Sequence, residues 1–172
     1  LGNQAAETTT IPMIMSCSDP RSPKLGRHCL VEAHHLPAQM GAIDNWHANR
    51  IAAGVPEGSI DLTPERALML EAGLDRLGAV DFEKGCYVGQ ENTARIKLKN
   101  KLSKRLLAIQ LISGKLTEGA SIYANDVEIG KVLINDEYPF ALIKYLDENF
   151  KKDSELKSEN AVLRIKMPDW IE

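Results

Sequence analysis

From residue 106 to the C-terminus, apolar side chains come in short runs of period two, separated by turn-forming residues. Residues 106–111, 121–123, 127–134, 140–146 and 162–165 read as strands, and Asn125-Asp126 reads as a hairpin turn. The stretch 147–159 is highly charged and is expected to be a mobile connection. Five or six short strands with this punctuation predict a small closed or nearly closed antiparallel barrel.

Upstream the texture differs. Residues 1–10 are polar and threonine-rich, which predicts a loop or frayed terminus. Residues 11–15 read as a strand, stopped by Pro20 and Pro23, which cannot sit inside a sheet. A second strand is expected over 27–33, where Cys29 and Val31 alternate with His28 and Leu30. Residues 37–53 predict a helix, with Pro37 in the first turn and Met40, Ile43, Trp46, Ala48 and Ile51 at helical spacing. On that reading Trp46 and Ile51 are core residues. Residues 54–58 form a loop, and Thr63 with Pro64 opens a short helix before 68–71. The class is therefore α+β, with a boundary near Lys99 dividing residues 1–98 from a barrel over 99–172.

Composition narrows the function classes. A net charge of −3 across 172 residues gives no global reason to expect nucleic acid or an anionic membrane as partner. No apolar run approaches membrane-spanning length. Three cysteines, at 17, 29 and 86, form neither a zinc pair nor a disulfide framework. They imply a reducing compartment, hence a cytoplasmic protein. His34, His35 and His47 lack the spacing of a helical pair on one face and no acid cluster joins them, so no metal site is expected.

The chemistry concentrates at Lys84-Gly85-Cys86-Tyr87-Val88-Gly89-Gln90-Glu91. The two glycines permit backbone angles, including positive φ, that a side chain penalises. Gln90-Glu91-Asn92-Thr93-Ala94-Arg95 reads as a helix start with acid in its first turn. Cys86 thus falls near a helix N-terminus and near Lys84, and both features favour thiolate over thiol. A lone cysteine is ordinarily a small buried hydrophobe, but a core strand has no use for Lys-Gly before it and Gly-Gln-Glu after it.

This octapeptide, preceded by Gly78-Ala79-Val80-Asp81-Phe82 and followed by Thr93-Ala94-Arg95, resembles the signature of the YgfZ family of folate-binding proteins, relatives of the glycine cleavage T-protein. The likeness extends to Asn49-Arg50-Ile51-Ala52-Ala53-Gly54-Val55-Pro56, to Leu70-Glu71-Ala72-Gly73-Leu74, and to 130–133 with 141–146 in the terminal barrel. It covers the central and C-terminal parts of the family pattern. Members carry a further N-terminal region that walls the folate cavity, and nothing here matches it, so an incomplete site is expected.

The resemblance implies a ferredoxin-like α/β portion of the T-protein fold followed by the small barrel. It also implies a tetrahydrofolate or other folate ligand and a monomer that supports iron-sulfur client or assembly proteins, with no direct nucleic-acid partner and no membrane. Cys86 and Lys84 would carry the chemistry, and Glu71, Tyr87, Gln90, Glu91 and Arg95 would line or hold the folate site. Glu71 suits a pterin edge, which presents an amino group and a ring N–H side by side to one carboxylate. A surface acid is the alternative for Glu71. Arg21 and Arg27 stand where the family has an arginine-containing turn and strand, although surface solvation accounts for both.

Between Arg95 and Arg105 six cations occur without an acid. Their alternation with Ile96 and Leu98 reads as a strand, whereas the resemblance implies a helix to about Lys97. The run is either a solvated face or an attractor for an anion such as a folate polyglutamate tail. The thiol could ligate iron transiently, accept a one-carbon unit or exchange redox equivalents. The competing function is a tetrahydrofolate-dependent aminomethyltransferase of the glycine cleavage type.

Overall fold

The computed structural model describes residues 12–36, 42–58, 60–62, 64–65, 67–99, 102–135 and 137–171. The fold is α+β, and among the described residues the strands gather into one hairpin and one closed barrel.

The hairpin pairs β1 (Met15–Ser18) with β2 (Arg27–Leu30), in the register Ser16 to Cys29 and Cys17 to His28. Strand β1 lies later than the predicted 11–15, and β2 begins at Arg27 as predicted but ends before residue 33. Nearly every hairpin side chain is exposed, so no buried face imposes an apolar alternation on it. Helix α1 spans Ile43–Ala52. Of the predicted 37–53 helix, residues 37–41 lie outside the described residues. Its expected apolar stripe is only partly buried: Ile43 is exposed and Trp46 half-buried, and the helix buries Arg50 and Ile51 instead. Thr63 lies outside the described residues, and Pro64 and Glu65 form a turn where the short helix is expected, with consecutive turns following over 69–78. Helix α2 spans Gln90–Leu98, which settles the alternating cation stretch in favour of helix up to that point.

The barrel closes in the order β3-β6-β5-β4-β7-β8, all neighbours antiparallel. Its strands are β3 (Arg105–Ser113), β4 (Ser121–Ala124), β5 (Val127–Ile134), β6 (Phe140–Ile143), β7 (Leu156–Ser158) and β8 (Ala161–Lys166). The hairpin turn lies at Asn125-Asp126 as expected, with both residues at positive φ (47° and 67°), which matches the twist of the flanking strands. The charged stretch 147–159 is not wholly a connection. Leu156 and Ser158 point inward from β7, and without this strand the barrel would stay open between β4 and β8.

Inward residues of alternate positions, among them Leu107, Ile109, Ile122, Ile129, Ile143 and Leu163, fill the barrel. The first half of β3 is buried on both faces, because Leu106 and Ala108 turn outward onto Ile51, Ala72 and Phe140. This second core joins helix α1 and the turns of 68–78 to the barrel wall. Polar contacts reinforce the seam. The Leu106 N–H donates to the Glu71 carbonyl (2.7 Å), and Arg105 pairs with Asp75 (2.8 Å) while donating to the Leu70 carbonyl.

The C-terminal residues fold back over the same seam, where Trp170 Nε1 donates to the Ala53 carbonyl at 3.0 Å. Gly54 and Gly73 make this approach possible. Both have positive φ, and a Cβ would stand 2.5 Å from Pro168 at Gly54 and 2.6 Å from the Trp170 ring at Gly73.

Candidate functional site

The 84–91 loop is tied at both ends by side chains. Upstream, Asp81 Oδ1 accepts the N–H groups of Glu83 (2.8 Å) and Lys84 (3.3 Å), forming a local turn that competes with any regular structure. Downstream, Gln90 Oε1 accepts the Tyr87 N–H at 3.2 Å, and the Gln90 N–H donates to the Tyr87 carbonyl at 3.3 Å. Gly89 is the N-cap of α2 with φ 89°. Gly89 therefore uses the left-handed conformation, whereas Gly85 does not, and a Cβ on Gly85 would meet open space.

Two cation–aromatic contacts brace the same segment. Lys84 Nζ stands 4.9 Å from the Tyr87 ring centroid, and Lys97 Nζ stands 4.6 Å from that of Phe82. The Lys84 ammonium thus faces Tyr87 across the bend that carries Cys86. Glu91 occupies the first turn of α2, and Arg95 donates to Asn92 Oδ1 at 3.3 Å on the exposed face of that helix.

Cys86 is exposed, three residues before the N-cap, and beside it Val88 is fully exposed. Exposure alone does not single it out, since Cys17 and Cys29 are exposed too. Those two belong to adjacent registers of the hairpin and so point to opposite faces. What separates Cys86 is a bend whose shape is set by Asp81, Gly89 and Gln90.

Glu71 is placed elsewhere. It lines a cavity of about 350 Å³ together with Asp61, Leu68, Leu106, Glu118 and Leu142, in the angle between the 61–72 turns and the outer face of β3, β5 and β6. Burial holds the Glu71 carboxyl above its ordinary range, with Lys104 opposing that shift. None of residues 84–91 lines this cavity, nor does Arg95, so the sequence-predicted residues fall into two groups: Glu71 on the cavity, and Lys84, Cys86, Tyr87, Gln90, Glu91 and Arg95 on the loop and helix α2.

A buried ionic network behind the cavity is not apparent from sequence. Arg50 has no exposed surface. Its Nη1 donates to Asp61 Oδ2 and to the Val55 carbonyl (3.2 Å), and its Nε donates to His47 Nδ1 (3.1 Å) and lies 3.3 Å from Glu57 Oε2. Asp61 Oδ2 also accepts the Glu57 N–H at 2.7 Å. Asp61 thus belongs to both the network and the cavity wall, and Arg50 fixes the loop that forms that wall. The signal available in sequence was an arginine at a helix end followed by two acids across a glycine-proline turn, which patterning treats as a solvated helix terminus.

No family model matches the chain. Among curated proteins, it is 33% identical to the human iron-sulfur cluster assembly factor IBA57, mitochondrial, over 164 residues, covering 88% of this chain and 46% of that protein. Against mouse IBA57 the identity is 39% over 101 residues, with 56% and 28% covered. Against the IBA57 homologue of Coccidioides immitis it is 31% over 129 residues, with 67% and 30% covered. The chain's homologues are iron-sulfur cluster assembly factors.

IBA57 proteins belong to the YgfZ and T-protein-like family, so these relatives support the resemblance at that coarse level. The chain spans less than half the length of the IBA57 proteins it matches. The same relatives overturn one expectation. They are named as mitochondrial, which conflicts with a cytoplasmic location. Unpaired cysteines argue for a reducing compartment, and that property does not single out the cytoplasm.

Proposed function

We propose that this chain supports the assembly or repair of iron-sulfur enzymes, tRNA-modifying ones included, through the thiol of Cys86. The observation that carries this reading is an exposed sulfur on a bend fixed by Asp81 on one side and Gln90 on the other. A sulfur so placed is open to an iron centre or to the surface of a client protein, and little of the loop needs to be ordered when contact is made. The IBA57 relatives supply the functional context and favour a mitochondrial setting.

The cavity beside Glu71 is the place we assign to tetrahydrofolate or a derivative. Its volume lies within the range of small-molecule sites, its walls are largely apolar, and Glu71 offers acceptors to a flat ring with adjacent N–H donors. Lys104, whose positive charge acts on Glu71, offers attraction to an anionic folate tail.

Two experiments separate the parts of this reading. In cells lacking their own copy, full-length protein with Cys86→Ala accumulates normally yet fails to restore iron-sulfur enzyme activity; full restoration removes Cys86 from the function. Titration of tetrahydrofolate against the full-length protein gives saturable binding that Glu71→Gln weakens about tenfold, the loss of one good charge-assisted hydrogen bond. Unchanged affinity removes Glu71 from the folate site.

A further inference from the structure

The spacing of histidines gives no metal site on a helical template, but the chain at this point is not an α-helix. Residues Ala33–His35 form a single 3-10 turn preceded by Glu32 in extended conformation. The turn gathers three side chains at the end of a stretch whose sequence reads as a strand. His34 Nδ1 lies 3.3 Å from Glu32 Oε2, the His34 and His35 ring centroids are 4.0 Å apart at 44°, and one donor atom from each residue lies within 4.8 Å of the other two. His47, by contrast, is committed to Arg50 and stacks on Tyr138 at 5.0 Å.

We propose that Glu32, His34 and His35 form an open three-ligand site for a divalent first-row transition ion, with Zn²⁺ or Fe²⁺ as the natural occupants. Two imidazoles and one carboxylate are the donor set that such ions take when they also keep positions for water or an exchanging ligand. An ion about 2.1 Å from each donor needs donor-to-donor edges of about 3.4 Å in tetrahedral geometry. The Glu32–His34 edge already has that length, and the remaining contraction needs only rotation of partly or fully exposed side chains. A surface ion pair accounts for Glu32 with His34 alone; it gives no reason for His35 to bring a third donor into the same space. The exposure of the set leaves it accessible to solvent, so an ion held there exchanges readily.

The test is calorimetric titration of ZnCl₂ into the full chain carrying Cys17→Ser, Cys29→Ser and Cys86→Ser, since all three thiols are exposed and bind zinc themselves. Iodoacetamide-blocked wild-type protein serves as a second cysteine-free sample should the triple variant fold poorly, with folding checked by circular dichroism. One ion is expected per chain, with affinity lowered at least about tenfold by His34→Ala, by His35→Ala and by Glu32→Gln. Absence of saturable binding in the cysteine-blocked samples overturns the proposal, as does binding that survives the His34→Ala/His35→Ala double substitution unchanged.

Discussion

Gln90 Oε1 accepts the backbone N–H of Tyr87 at 3.2 Å, so the first residue of helix α2 closes the bend that leads into it. The amide side chain spans the left-handed Gly89 and leaves Cys86 on the outer limb of the turn. Removing the acceptor should loosen this bend without unfolding the barrel. Gln90→Ala is expected to speed hydrogen exchange at the Tyr87 amide about threefold to tenfold, the worth of one partly exposed hydrogen bond. Amides of β3 and β5 should keep their wild-type rates. Equal protection at Tyr87 in both proteins would remove Gln90 as the fastener.

Glu71 leads to a prediction on pH. A folded-state carboxyl that holds its proton more tightly than the unfolded one opposes folding once it must ionise, so the penalty is absent below about pH 4.5 and grows as pH rises through the folded value. Glu71→Gln removes the ionisation. Its denaturation midpoint at pH 7 should equal or exceed that of wild type, and the difference should vanish near pH 4. A variant less stable at pH 7 than wild type would mean that the carboxylate is paired rather than penalised.

Asp19 behaves in the opposite sense. Arg21 donates to it at 3.0 and 2.7 Å, and together with His28 holds the carboxyl well below its ordinary range against the opposing effect of burial. Its contribution is present above about pH 4 and is lost as pH falls through the folded value. Asp19→Asn should therefore cost about 1–2 kcal/mol at pH 7 by denaturant titration, and its deficit should shrink steadily on acidification below pH 4. A deficit independent of pH would assign the loss to packing instead.

Arg50 is buried among Asp61, Glu57, His47 and Trp46, with its guanidinium 5.6 Å from the Trp46 ring centroid. Arg50→Ala leaves the Asp61 carboxylate buried without its cation and should cost about 3–5 kcal/mol. Arg50→Ala/Asp61→Ala should recover part of that loss, because no unpaired charge remains. The readout is the midpoint of chemical denaturation. A single substitution within 1 kcal/mol of wild type would mean that the network does not hold the cavity wall.

What sequence revealed and what it hid follow from where the periodicity is enforced. Strand β5 matches the apolar run residue for residue because one face of it meets the barrel interior, and the Asn125-Asp126 turn is legible because few residues accept positive φ twice in succession. Strand β7 has only Leu156 and Ser158 to bury, with Lys157 outside, and three residues within a charged stretch carry too little pattern to be seen. The hairpin slipped for a related reason: its faces are mostly exposed and impose no alternation. At the site, Lys84 to Glu91 was legible as a glycine-framed loop entering a helix, and the helix starts at Gln90 as read. The Arg50 network and the Glu32–His34–His35 cluster were not legible, since the first depends on a loop that carries Glu57 and Asp61 back to helix α1 and the second on a 3-10 turn at the end of a stretch that reads as a strand.

On the function proposed above, one thiol among three carries the activity. Its most direct test compares Cys86→Ser with the Cys17→Ser/Cys29→Ser double variant, each expressed as full-length protein in cells whose own copy is deleted, with iron-sulfur enzyme activity measured per unit of enzyme protein. Activity should fall near the deletion background for Cys86→Ser and stay near wild type for the double variant, at equal protein levels. Wild-type activity from Cys86→Ser, or loss confined to the double variant, would contradict it.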